Sequence, residues 1–318
     1  MDQPQEKLLI TGGNGFLGSW VKKVAPQYYP NAIILTPGHK ELDLTDKQAT
    51  LAYFSANKPT FVIHTAAKVG GIGYNRLYPA DVFDVNVRMA TNILFACAAE
   101  KTRKLTNISS ACAYPGELAG DFKEEDFLNG PMHESVEVYG FSKRALLLGG
   151  RAYYKQYGLP SISVTLTNLY GPGDTFDFNR AHVVAALIRR FFEAKRDNAP
   201  SLICWGTGKA IREFLYVEDA AHAILRASQN YNDYNEIVNI GTGIGTSIEE
   251  LVNIVNELTG YKGTIQWDTS KPDGAMRKVL DIAKMKSVLN WESATPLREG
   301  LKRTIDWFAQ NYDEAIKR

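Results

Sequence analysis

Short β-type runs alternate with helical spacing through the first half of the chain. KLLIT, AIILT, TFVIHTAA, KLTNISS and SISVTLTN are separated by segments whose apolar residues recur about every 3.6 positions. That alternation predicts parallel strands joined by crossover helices on both faces, a doubly wound, Rossmann-type α/β sheet. After Tyr170 the texture changes to the turn-rich GPGDTFDFNRAH, then a helix over about 181–195, then short strands and helices to the end. EIVNIGTG reads as one more strand returning to the main sheet. Two sequence-interleaved domains follow: 1–168 with about 214–242, and a smaller α/β domain of 169–213 with about 243–318. Their cleft is expected at the carboxyl ends of the strands.

LLITGGNGFLGSWVKKV places Gly12, Gly15 and Gly18 between the first strand and an amphipathic helix. This spacing allows a tight turn, close approach of backbone to a pyrophosphate and close helix packing, so it predicts a dinucleotide at the first domain. An acidic residue after the second strand would favour NAD by binding the ribose 2′-hydroxyl. Here the strand is followed by PGHKELD, whose nearest charged groups are His39 and Lys40, with Asp43 later. Basic groups there suit a 2′-phosphate, and the expected cofactor is NADP.

YGFSK sets Tyr139 and Lys143 four residues apart, on one face of the helix expected after the fourth strand. An ammonium near the phenol is expected to favour the phenolate and so make Tyr139 a proton carrier near neutral pH. NISSACAYP ends that fourth strand, where the Ser110 hydroxyl would meet the same carbonyl oxygen as Tyr139. Read as extended backbone, it turns Cys112 to the same side as Ser110. Ser110, Tyr139 and Lys143 suffice to reduce a ketone; the cysteine is surplus to that task.

Composition removes other classes. Lys and Arg number 36 against 35 Asp and Glu, a formal charge of +1, so no global field draws nucleic acid or an anionic membrane. Cys97, Cys112 and Cys204 are too few and too scattered for a disulfide framework or a CxxC metal site; a reducing cytoplasm fits, with no metal. The polar start MDQPQEK and the lack of about 18 consecutive apolar residues predict a soluble, unprocessed chain.

Together the glycine turn, TNISSACAYP and YGFSK resemble the extended short-chain dehydrogenase/reductases that act on nucleotide sugars. HTAAKVGGI, TNLYGPGDTFD, AHVVAALIRRF, WGTGKAIREFLYVED and SKPDGAMRKVLD are similar to the GDP-L-fucose synthase subgroup, nearly end to end. The resemblance implies NADPH-dependent 3,5-epimerisation and 4-reduction of GDP-4-keto-6-deoxy-D-mannose. Ser110, Tyr139 and Lys143 match the reductase triad, Cys112 the base at C3 and C5, and His182 the acid on the opposite face. Cofactor contacts are implied for Gly12, Asn14, Gly15, Phe16, Leu17 and Gly18 in the turn. His39, Lys40, Ala66 and Lys68, and then Tyr139, Lys143 and His182, complete that set. Arg190 and Arg212 match positions that hold sugar or diphosphate, a role suited to a forked guanidinium; Asn168, Trp205 and Lys278 are further substrate candidates. A homodimer through the Tyr139 helix and its neighbour over about 79–99 is also implied. GGNGFLG departs from the subgroup's GHRG, putting Asn14 in place of an arginine. That leaves a sister activity on another GDP-4-keto sugar, such as a 6-deoxy-heptose, as the alternative.

Overall fold

The computed structural model describes residues 5–118, 120–271 and 273–317, apart from the side chain of Ile72. The polar opening residues 1–4 therefore lie outside the described residues. In chain order the first half runs β1 (Lys7–Thr11), α1 (Phe16–Tyr28), β2 (Ile33–Leu35), α2 (Lys47–Asn57), β3 (Phe61–His64), α3 (Ile72–Leu77), α4 (Pro79–Ala99), β4 (Lys104–Ser110), α5 (Glu137–Tyr157) and β5 (Ser161–Leu166). Then come β6 (Asn168–Tyr170), α6 (Val183–Arg196), β7 (Ser201–Trp205), β8 (Ile211–Arg212), β9 (Phe214–Tyr216), α7 (Val217–Asn230) and β10 (Ile237–Ile240). The chain closes with β11 (Thr246–Ser247), α8 (Ile248–Thr259), β12 (Thr264–Asp268), β13 (Arg277–Lys278), α9 (Ala283–Leu289), α10 (Leu297–Gln310) and α11 (Tyr312–Ala315).

Six strands form one parallel sheet in the order β10-β5-β4-β3-β1-β2. The strand order reverses direction at β1, and the crevice outside the carboxyl ends there is where an open α/β sheet takes a ligand. β1, β4 and β5 are buried along nearly their whole length, as strands covered on both faces must be, although β4 and β5 carry Ser, Thr and Asn among their apolar residues. Leu8, Ile10, Ile108 and Val164 pack with Val21, Val24 and Ile224 of α1 and α7; Leu9, Val62 and Leu105 pack with Ile93 and Leu94 of α4 and Leu146 of α5. Helix α4 has the length and hydropathy of a membrane span, but Val82, Met89, Ala90, Ile93, Leu94, Ala96 and Cys97 are buried in the protein. Its polarity pattern is that of a core helix.

The helix expected over 181–195 is α6, starting two residues later, and EIVNIGTG does return to the main sheet as β10. A second core gathers Phe176, Ile188, Phe191, Val252, Leu301 and Phe308 from the later elements. Helix α9 goes back the other way: Met285 and Leu289 pack in the core of the main sheet beside α7.

The turn between β6 and α6 holds Asp174, 3% exposed, whose carboxylate accepts from the Thr175 N–H at 2.7 Å. Burial, opposed by that one hydrogen bond, lifts its pKa to about 7. A carboxyl whose folded pKa lies above its unfolded value favours the fold only while neutral. Its contribution to stability falls as pH rises from about 4 to about 7 and stays low above that. Asp174→Asn keeps the acceptor for Thr175 and removes the charge. Its melting temperature should exceed wild type by an amount that grows between pH 5 and 8; a constant offset across that range would show that Asp174 does not titrate there.

Candidate active site

At the β1–α1 turn, Gly12 has φ +70°, and a Cβ there would stand 2.8 Å from the Ala66 Cα. A Cβ on Gly18 would stand 2.1 Å from the Gly12 carbonyl oxygen. Those approaches press α1 and the loop after β3 onto the turn, as the sequence spacing requires. Helix α1 starts at Gly15 with no side-chain cap and no acidic residue in its first turn among the described residues. Its first N–H groups therefore point outward beside Asn14, an anion site by geometry and dipole. After β2, His39 and Lys40 are exposed, while Glu41 turns back to accept from the Gly38 N–H at 2.7 Å. Of the two nearby carboxylates, Glu41 is taken up by that turn and Asp43 accepts from Thr45 with the His39 ring 3.9 Å away; His39 and Lys40 stay exposed, and the cradle fits a dinucleotide carrying an extra phosphate. Lys68 lies on the loop after β3, its backbone held on both sides by the Asn86 carboxamide at 2.9 Å, and its ammonium is paired with Asp81 at 3.0 Å.

Strand β4 ends in Ser110, and there the structure corrects one expectation. Residues Ala111–Ala113 are not extended; they form a 3₁₀ turn that Ser110 caps, its Oγ accepting from the Cys112 N–H at 3.2 Å. Serine competes for local backbone donors in this way. With that N–H occupying a lone pair, the Ser110 hydroxyl proton is left to donate elsewhere. Helix α5 meets the turn at Gly140, where a Cβ would lie 2.5 Å from the Cys112 carbonyl oxygen. The missing side chain lets the helix backbone close on the turn, which brings Tyr139 within electrostatic reach of Cys112.

Lys143, one turn along α5, is 4% exposed and donates to the Ile108 carbonyl at 3.0 Å; its Nζ lies 5.4 Å from the centroid of the Tyr139 ring. A second expectation is overturned here. Burial, with repulsion from an ionised Cys112 second, pushes the Tyr139 phenol above its ordinary 10. Burial also draws Lys143 down to about 8. Desolvation outweighs the cation at this separation, so the resting Tyr139 is a protonated donor and not a phenolate.

His182 precedes α6 as its N-cap without a side-chain cap bond. The residue is solvent-exposed, and desolvation draws its imidazole below the usual 6.5. The Gly71 N–H donates to the Arg180 carbonyl at 3.1 Å, tying the loop after β3 to the residues just before His182. Arg212 in β8 lies within electrostatic reach of the thiol: burial lowers its pKa, and attraction to Cys112 and then Asp273 opposes that. Lys278 pairs in register with Arg212, and the Asn168 carboxamide donates to the Glu213 carbonyl at 2.9 Å. Arg190 reaches a different spot, donating to the Ile203 carbonyl beside the exposed Trp205 on β7. The substrate candidates therefore divide between a group around Arg212 and a group around Trp205.

Glu213 was not among the candidates. It is fully buried, and its carboxylate accepts from the Thr242, Gly243 and Leu280 N–H groups, while its own carbonyl receives Asn168 and Thr167. It fastens the end of β10 and the strand end after Lys278 to the segment holding Arg212. Its sequence signal was slight: a single acid between Arg212 and the buried FLY.

The profile of the NAD dependent epimerase/dehydratase family matches residues 8–241. GDP-L-fucose synthase 1 of Arabidopsis thaliana is 39% identical over 312 residues, covering 98% of this chain and 95% of that one. A GDP-L-fucose synthetase of Naegleria fowleri bound to NADP superposes with a TM-score of 0.90 at 30% identity, covering 99% of this chain and 98% of that one. A GDP-6-OMe-4-keto-L-xylo-heptose reductase from C. jejuni also superposes at 0.90, with 28% identity and coverage of 97% and 99%.

Proposed function

The chain belongs to the NAD dependent epimerase/dehydratase family, and from that premise we propose that it epimerises GDP-4-keto-6-deoxy-D-mannose at C3 and C5 and reduces C4 to give GDP-L-fucose. The observation that carries this reading is the seating of Cys112, a group a reductase does not need, against the Tyr139 helix and within electrostatic reach of Arg212.

A C4 ketone acidifies the C–H bonds on both sides. Cys112, deprotonated for each step, takes the proton from C3, passes it to solvent, and then takes the proton from C5. The Ser110 and Tyr139 hydroxyls hold the oxygen that gains charge, and His182 returns a proton to the opposite face. The Gly12–Gly18 turn, with His39 and Lys40, would hold NADPH, which would supply the hydride for C4. Tyr139 gives its proton to the C4 oxygen, and Lys143 stands behind it to restore the charge balance. Because His182 rests neutral, the acid step needs its pKa raised in the complex, which the negative diphosphate favours.

In the same reading, residues 1–168 with about 214–242 bind the cofactor, and 169–213 with about 243–318 bind the nucleotide sugar. Two copies join through α4 and α5: Phe83 and Phe141 stack at 5.9 Å between centroids while 43% and 48% exposed, with Leu148 50% exposed on the same helix as Phe141. We place the enzyme in a reducing cytoplasm, where three free cysteines are compatible with function.

The test is NADPH oxidation with GDP-4-keto-6-deoxy-D-mannose in heavy water, with NMR of the product. The expected product is GDP-L-fucose carrying deuterium at C3 and C5. The likeness to the heptose reductase and the Asn14 position favour one second reading, a GDP-4-keto-heptose substrate. Turnover of that sugar alone would select it, and turnover of neither would overturn both.

A further inference from the structure

Between Ala113 and Pro131 the chain leaves the site and returns. Its neck is closed by a bridge between Pro115 and Met132 and by the Gly116 N–H donating to the Pro131 carbonyl at 3.0 Å. Arg144, next to Lys143 on α5, reaches across this neck. Its Nε donates to the Ala113 carbonyl at 2.7 Å and its Nη1 to the Gly130 carbonyl at 2.9 Å. Ala113 is the last residue of the 3₁₀ turn that carries Cys112. The turn is thus gripped twice by one helix: Gly140 presses on the Cys112 carbonyl, and Arg144 holds the carbonyl that follows.

This is a costly way to close a loop. Nη2 of Arg144 is buried without a hydrogen-bond partner among the described residues, and the two carbonyls it serves carry no full negative charge. A packing role would be met by an apolar side chain. Two carbonyls approached at a fixed mutual angle call for a rigid planar fork, which lysine lacks.

We infer that Arg144 is the positioning residue of the general base, fixing the Cys112 turn in the same frame as Tyr139 and Lys143 so that one sugar carbon and its neighbouring carbonyl are met at once. The inference rests on the assignment of Cys112 proposed above. Without the fork, the turn keeps its Ser110 cap but loses its tie to α5. A displacement on the order of 1 Å at a reacting group costs roughly 10²-fold in rate.

Arg144→Met and Arg144→Lys test it through three readouts. These are deuterium exchange into GDP-4-keto-6-deoxy-D-mannose with NADP⁺ in place of NADPH, NADPH affinity by fluorescence titration, and the rate of Cys112 alkylation by iodoacetamide followed by peptide mass spectrometry. In Arg144→Met the kcat for exchange should fall about 10²-fold, with KM and NADPH affinity near wild type and a changed alkylation rate. Arg144→Lys should recover part of each, because one of the two bonds can re-form. Wild-type exchange and alkylation in Arg144→Met would overturn the inference, as would a parallel loss of NADPH affinity, the mark of general damage. Should wild type itself exchange no deuterium, the proposed function fails separately and alkylation alone decides for Arg144, an unchanged rate overturning it. If Arg144→Met does not fold, Arg144→Lys carries the same readouts, and wild-type values in it overturn the inference.

Discussion

Tyr139→Phe should slow ketone reduction by about 10²–10⁴-fold, the usual contribution of a positioned acid. The ring keeps its place on α5, so fold and cofactor affinity should hold; what is lost is one proton. Burial has raised the phenol's pKa and brought Lys143 to about 8, an arrangement that keeps the proton on Tyr139 until negative charge develops on the C4 oxygen. Hydrogen exchange at C3 and C5 should suffer less. Ser110 remains to hold the enolate oxygen, and losing one of two such donors costs about 10²–10³-fold. Stopped-flow NADPH oxidation and heavy-water exchange on the same variant separate the two losses. Unchanged oxidation would remove Tyr139 from the acid role.

The main sheet was legible because parallel strands buried on both faces must be apolar runs, and the helices between them must show one apolar stripe. The glycine turn and the Tyr139–Lys143 pair were legible because both are local spacings. What failed depended on hydrogen bonds to backbone and on burial, neither of which residue spacing shows. Ser110–Cys112 read as extended by continuity with β4, but the Ser110 hydroxyl found a backbone donor two residues on and turned the chain. The phenolate expectation weighed a charge without knowing how dry the site is. Glu213, Asn86 and Arg144 act on backbone N–H and carbonyl groups that folding brings to them, 18 residues away in the bonds of Asn86 to Lys68 and 29 or more in the Glu213 carboxylate bonds. A carbonyl leaves no mark in the side-chain sequence, so residues that serve backbone are the ones a pattern misses.

Cys112→Ser divides the chemistry at another point. Serine preserves the backbone N–H that Ser110 accepts and the carbonyl packed on Gly140, so the 3₁₀ turn and the cofactor cradle should survive with little change in melting temperature. A thiol titrates near 8.5 in an unperturbed chain and is within reach of the thiolate at neutral pH. A serine hydroxyl stays protonated there and cannot take a carbon-bound proton unaided. Deuterium entry at C3 and C5 should therefore drop by about 10²–10⁴-fold, the range for a lost general base, while NADPH binding is retained. The sugar recovered from that variant then orders the two reactions. If NADPH is oxidised and the product carries no deuterium at either carbon, hydride transfer does not wait for epimerisation, and the two activities share only the oxygen-binding pair Ser110 and Tyr139. If oxidation stops as well, only the epimerised ketone presents C4 to the hydride, and Cys112 governs both halves. Wild-type deuterium entry in the variant would place the base on another residue, and with it the reason for the cysteine beside Arg212.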